Sequence, residues 1–414
     1  MDSAISTDVL SELFLRGSSM RPIVRGRGAI TSLDDDEDDV EERRADYKAI
    51  QAIDLCGCIS SVFVGALQHF VESQGLGVFL VEGGLSRPRR SFSGLKRLGL
   101  RGVTSVPPDI LTALVCSFPS LTHIDLSGTR CTPELLDILG ASSTLRLESV
   151  ALARCTRLTS GSIVSFLTEG RSTQNITELS LYGDLTFPSC LTGEDLLRIV
   201  TDAPCFKSGR LVYLDLSSAP INPAILIAFP AQPCLRSLGL SHIPTLPLHA
   251  IPTFLLDRAP NVEILTLIST TPELSIRNAR EVSLAIHSRL IKSLCLPPFY
   301  LSVSPFPVSI TSTSDDSPAP RAPTRLRVIE FSSTTLACLG GGAGSWRVVK
   351  SRGGRAWYVD TACAWLDGIF TRDLDARHPV REEVIRLAAC DGNVVGSGSV
   401  GWHSRKMEVC GRLH

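Results

Sequence analysis

The sequence has no surplus of either charge: 41 Lys and Arg stand against 42 Asp and Glu, a formal charge of −1 over 414 residues. That excludes a chain-wide electrostatic footprint for nucleic acid or an anionic membrane. Long apolar runs are missing, since none approaches the roughly 18 residues that a membrane span needs. The opening Met1 to Gly17 lacks the basic start and long apolar stretch of a secretory signal. The chain is therefore expected to be intracellular, cytoplasmic and/or nuclear.

Chemical motifs are scarce as well. No His-Glu-x-x-His, paired Cys-x-x-Cys or Gly-x-Ser-x-Gly occurs. Gly396-x-Gly398-x-x-Gly401 has dinucleotide-fingerprint spacing, but the following Trp402-His-Ser-Arg-Lys does not open an amphipathic helix. Gly340 to Gly344 lacks the Lys-Ser/Thr of a phosphate loop. Cys363 with His378 or His403, oriented by Asp360 or Asp391, is read as a buried thiol and surface histidines rather than a nucleophile and base. The thirteen cysteines are odd in number and scattered from Cys56 to Cys410, so they read as small buried residues in a reducing compartment. No enzyme, catalytic residue, metal, cofactor or small-molecule substrate is expected.

What the chain has is leucine, unevenly placed: 48 in residues 1–300 and 8 in residues 301–414, while Trp346, Trp357, Trp365 and Trp402 all lie in the last 70 positions. The pattern apolar-x-x-apolar-x-apolar recurs at Leu95, Leu121, Leu147, Ile176, Leu211, Leu235 and Val262, in steps of 26, 26, 29, 35, 24 and 27 residues. Weaker copies start at Leu10, Ile50, Ile291 and Leu326. Between copies the spacing becomes helical, as in Pro133 to Leu139 and Gly193 to Val200, with Thr132 and Thr192 placed to cap. Each unit thus reads strand, turn, helix, and successive strands must be parallel because each returns through a crossover. Three buried motif side chains contribute about 2 kcal/mol each, against about 1 to 2 kcal/mol of backbone ordering per residue. A single unit cannot fold alone, so the units must stack.

Seven copies in near-constant phase resemble the leucine-rich repeat family, of the longer-repeat ribonuclease-inhibitor-like and F-box leucine-rich kind, over about residues 10–331. The resemblance implies an α/β solenoid with a curved parallel sheet inside and helices outside. The family places Asn or Cys three residues after the last leucine. Cys58 and Cys155 comply, Thr129 and Asp184 can substitute, and Val103, Ala219, Ile243 and Thr270 break the ladder, so an irregular solenoid is expected. Residues 1–49 read as an N-terminal edge with the Leu10 copy and a disordered acidic loop, Asp34 to Glu42. Residues 50–331 read as the solenoid, with a flexible insertion at 304–324, and 332–414 as a Trp-containing α+β C-terminal cap. Within the cap, Gly340 to Gly344 reads as a flexible joint, Trp346 to Val349 and Arg355 to Val359 as strands, 379–389 as a helix and 400–409 as extended. The tail is similar to those of uncharacterised fungal leucine-rich repeat proteins.

Alternation along each strand turns the residues between the motif leucines out of the core. The expected partner-binding residues on this concave face are Lys96, Arg97, His123, Asp125, Glu148, Glu178, Tyr213, Asp215, Arg236 and Glu263, with Thr266 beside them. Seven strands about 4.8 Å apart span at least about 29 Å, which suits a protein surface or extended peptide. The expected function is non-enzymatic protein binding with no nucleic acid or membrane partner. The resemblance also implies two alternatives, a substrate receptor of an SCF-type ubiquitin ligase or a small-GTPase activating protein. An F-box would need a helical segment ahead of the repeats, and the first copy begins at Leu10. The basic run Arg87 to Arg101 carries Lys96 and Arg97 and is read as a surface feature.

Overall fold

The computed structural model describes residues 51–73, 94–268, 274, 278–294, 324–350 and 356–360. They fall into two compact units, one ending at Leu181 and one beginning at Tyr182. The Leu10 copy, the acidic loop, the first part of the basic run, Thr270, the 304–323 insertion and everything after Asp360 lie outside the described residues.

The first unit alternates strand and helix: β1 (Ala52–Asp54), α1 (Ser61–Ser73), β2 (Arg97–Gly99), α2 (Pro108–Cys116), β3 (His123–Asp125), α3 (Pro133–Ala141), β4 (Ser149–Ala151), α4 (Ser160–Glu169) and β5 (Glu178–Ser180). The strands pair in parallel in sequence order, with motif positions aligned: Ile53, Leu98, Ile124, Val150 and Leu179 are successive partners. Crossovers of one hand between sequential parallel strands place every helix on the same face. α1 packs on α2 and α3 on α4 accordingly. Leu95, Leu98, Leu100, Leu121, Ile124, Leu126, Leu147 and Leu179 have 0% exposure, so the motif leucines are the core between sheet and helices.

One turn is used repeatedly. Two residues after the last motif leucine, Gly57, Gly102, Gly128 and Arg154 take left-handed φ of 75°, 72°, 65° and 57°. The amide there reaches the next unit: Gly57 N to Arg101 O, Gly102 N to Ser127 O and Gly128 N to Ala153 O, at 2.7 to 2.8 Å. Glycine adopts this φ at little cost, which accounts for Leu-x-Gly in three of four units.

The second unit continues the alternation: α5 (Gly193–Asp202), α6 (Pro204–Lys207), β6 (Tyr213–Asp215), α7 (Pro223–Ala228), β7 (Ser237–Gly239), α8 (Ala250–Asp257), β8 (Ile264–Leu267), α9 (Ala279–Ala285), a π-helix (Ile286–Ile291), α10 (Lys292–Leu294), β9 (Val328–Phe331), α11 (Ser333–Cys338), β10 (Gly342–Ala343), β11 (Trp346–Lys350) and β12 (Ala356–Asp360). β6 to β9 are parallel and in register through Leu214, Leu238, Leu265 and Ile329. The left-handed turn recurs at Ser218 and His242, with φ of 66° and 57°. β12 then pairs antiparallel with β9, so that a hairpin of β11 and β12 extends the sheet.

Three expectations are corrected. The copy at Ile291 is not a strand: Ile291 and Leu294 sit at helical spacing on the buried side of the π-helix and α10, which continue α9. Gly340 to Gly344 is not a joint but the start of the terminal hairpin. Gly340, Gly342 and Gly344 carry φ of 60°, 115° and 62°, and a Cβ on Gly342 would fall 2.1 Å from Trp346 O. Thr132 precedes α3 without a side-chain cap, whereas Thr192 Oγ1 accepts from Asp195 N at 3.2 Å as expected. No described helix is long and apolar enough to cross a membrane.

Candidate protein-interaction surface

The residues between motif leucines form the sheet face opposite the helices. In the first unit the register sets Arg97 beside His123, His123 beside Ser149 and Ser149 beside Glu178. Lys96, Arg97 and Glu148 are exposed, and His123 and Glu178 are half-buried. The row is fixed by its backbone. Thr122 Oγ1 donates to Lys96 O and Thr177 Oγ1 to Glu148 O, both at 3.2 Å, and each threonine amide also bonds the same carbonyl. Thr122 Oγ1 lies 2.8 Å from His123 Nδ1. One strand, β3, lies between Lys96 and Glu148, so two inter-strand spacings, about 10 Å, separate them. At that separation physiological salt screens their mutual attraction, so each remains available to an incoming group.

The other expected residues are placed differently. Asp125, Tyr213, Asp215, Glu263 and Thr266 are buried rather than exposed, and Arg236 is half-buried. The two aspartates close strands. Asp125 Oδ1 accepts from Ser127 N at 2.9 Å, and Asp215 Oδ1 accepts from Ser217 N at 3.0 Å and Ser217 Oγ at 2.6 Å. Asp54 does the same for Cys56 N at 2.9 Å. This is the Asx turn, and it aims the chain into the left-handed residue that follows. The carboxylates need room beside them: a Cβ on Gly99 would lie 2.6 Å from Asp54 Oδ1, and one on Gly239 would lie 2.4 Å from Asp215 Oδ1. Tyr213 donates its hydroxyl to Asp215 Oδ2 at 3.3 Å. Beyond Asp215 the serines form a ladder, in which Ser217 Oγ accepts from Ser241 N and Ser241 Oγ from Ile268 N, each at 3.0 Å. This ladder does in the second unit what Cys155 Sγ, donating to Leu126 O at 3.1 Å, does in the first. Val103, Ala219 and Ile243 are buried apolar residues at the family's Asn/Cys position and carry no such bond.

Sequence reading named Arg236 and Glu263 in the second unit but missed Arg327 and the ion pairs. Arg236 Nη1 lies 3.2 Å from Glu263 Oε1 and Arg327 Nη1 lies 3.9 Å from Asp360 Oδ2. Burial pushes the Glu263 carboxyl up to about 7, against the pull of Arg236, Arg325 and Arg327. The signal was present in the weaker copy at Leu326, which puts Arg327 at the same motif position as Arg236 and Glu263. Cys131, Cys155 and Cys205 are buried thiols. Burial pushes Cys155 and Cys205 up to about 12 and Cys131 higher still, which keeps them protonated. Comparison with known proteins finds no matching family model and no matching curated protein.

Proposed function

We propose that this chain is a non-enzymatic leucine-rich repeat protein whose sheet face binds a protein partner. The supporting observation is the aligned row of Lys96, Arg97, His123, Glu148 and Glu178, which carries both charge signs on side chains that are exposed or half-buried. A charged row on a rigid sheet costs little entropy to hold in place, and charges spaced by a strand or two favour partners of complementary pattern over others. The parallel register, the shared left-handed turn and the Asx closures support the repeat assignment. The face carries a row of side chains aligned across several strands, which suits an extended macromolecular partner.

The test is affinity capture from cell extract with the intact chain and three variants. Lys96→Glu/Arg97→Glu and Glu148→Lys are expected to lose at least one protein that the parent captures, and Glu194→Lys at the exposed start of α5 to retain it. An identical set of captured proteins from all four chains contradicts the reading.

A further inference from the structure

Three guanidinium groups gather about one carboxylate where β7, β8 and β9 begin. Glu263 precedes β8 and its side chain is 4% exposed. Its amide bonds Arg236 O at 2.8 Å, and its carbonyl takes the amides of Arg327 and Val328, both at 3.0 Å. Arg236 and Glu263 therefore sit one strand apart, as do Glu263 and Arg327. Arg236 Nη1 binds Glu263 Oε1 at 3.2 Å and reaches Asn261 O at 3.4 Å. Arg327 Nη1 binds its own chain at Leu326 O at 2.8 Å and faces Asp360 Oδ2 of β12 at 3.9 Å. Arg325, two residues before Arg327, also acts on Glu263; it is exposed and makes no ion pair among the described residues.

The charge does not close. Among the described residues, three arginines act on Glu263, and Asp360 pairs with one of them, Arg327, which leaves one positive charge even with both carboxyls ionised. Among the described residues, Glu330 on β9 is three residues beyond Arg327, roughly 10 Å along the strand, and Asp215 on β6 lies in the same row as Glu330. The uncompensated charge rests on the one exposed member, Arg325, beside two guanidiniums whose side chains are 25% and 27% exposed. A guanidinium fork that is partly desolvated and already anchored by a carbonyl is preorganised for a carboxylate.

We propose that Arg325, with Arg236 and Arg327 behind it, is a docking site for an acidic side chain of a partner's extended segment, and that Glu263 is the resident carboxylate that sets how much positive charge the site offers. The inference rests on the reading of the chain as a protein-binding repeat, but it concerns other strands, β7 to β9, than the row on β2 to β5. It also sets a direction with pH. The Glu263 carboxyl titrates near 7, so between pH 8 and pH 6 it gains a proton, the site becomes more positive and an acidic segment binds more tightly. The partner's own carboxylates stay ionised across that range.

The experiment measures binding of the acetylated, amidated peptide (Ser-Glu)4 to the intact chain at pH 6 and pH 8, beside (Ser-Gln)4 and a phosphoserine peptide of equal charge. The glutamate peptide is expected to bind the parent, several-fold tighter at pH 6 than at pH 8, and the glutamine peptide not to bind. Arg325→Glu should weaken binding at least tenfold. Glu263→Gln should bind at pH 8 as tightly as the parent does at pH 6, with the pH dependence gone. Equal binding by parent and Arg325→Glu overturns the proposal, as does no binding at all. Tenfold preference for the phosphopeptide overturns its commitment to a carboxylate. Loss of binding in Lys96→Glu/Arg97→Glu with Arg325→Glu unaffected would place the peptide on β2 to β5, sinking this site while leaving the proposed function standing.

Discussion

At the scale of single residues, aspartate and glycine act as a pair across neighbouring repeats. Asp54 occupies the space that a Gly99 side chain would take, and Asp215 that of Gly239. Asp125 faces the small Ala151 in the same way by register. Gly99→Ala should push the Asp54 carboxylate off its bond to Cys56 N and cost about 1 to 3 kcal/mol, although Gly99 itself has an ordinary φ. Denaturant melts of Gly99→Ala and of Asp54→Ala/Gly99→Ala check this, since removing the carboxylate should make the alanine nearly neutral. Glu263 gives a second residue-scale expectation. Its folded pKa, about 7, lies above the ordinary glutamate value, so the folded state holds the proton more tightly and stability falls as pH rises from about 4.5 to 7. Melting profiles of Glu263→Gln against the parent should show that decline reduced. An unchanged profile would mean that Glu263 is not buried as described. The sequence made Asp125, Asp215 and Glu263 visible as outward positions but could not show their burial. Alternation states which side of a strand a residue faces, and says nothing about how neighbouring side chains close over it.

At the scale of elements, the seven strong motif copies correspond to β2 to β8 because the apolar spacing both identifies a strand and positions it in the core. The copy at Ile291 failed for a physical reason: Ile291 and Leu294 are three apart, a spacing that a helix buries as readily as the motif does, and the helix from Ala279 was already running. The terminal hairpin is joined to that helix by a specific contact. Tyr358 of β12 has its hydroxyl 3.1 Å from His287 Nε2 in the π-helix and accepts from Ala343 N at 3.1 Å. With its lone pair engaged by the amide, the Tyr358 hydroxyl proton points naturally to a neutral imidazole, and the Trp346 ring centroid lies 5.3 Å from that of Tyr358. Burial lowers the His287 pKa below its ordinary value. Because the folded pKa is depressed, the contribution is present above about 6.5 and is lost as pH falls through the folded pKa. His287→Gln should cost about 1 kcal/mol at pH 8 and show a smaller loss of melting temperature than the parent between pH 7 and pH 5. A steeper acid loss in the variant would contradict the neutral-imidazole contact.

At the scale of the whole molecule, the alternation of parallel strand and helix was legible in the leucine spacing, and within each compact unit each repeat depends on its neighbours for burial. Leu214, at 0% exposure beside its register partner Leu238 on the next strand, should not tolerate charge. Leu214→Asp combines a lost core side chain with an unpaired buried carboxylate and should destabilise by about 4 kcal/mol or more. Cooperative melting unchanged by that substitution would contradict the shared core. The proposed interaction face was legible only in part: Lys96, Arg97 and Glu148 are exposed as the alternation implies, whereas Tyr213, Asp215 and Thr266 belong to the interior of the second unit. The most direct test of the face places a photo-crosslinking amino acid at Arg97, at Glu148 and, as a control at the exposed start of α5, at Glu194 in the intact chain, followed by irradiation in cell extract and mass spectrometry. The account predicts one shared protein adduct from Arg97 and Glu148 that is missing from Glu194. Adducts no different among the three positions would contradict it.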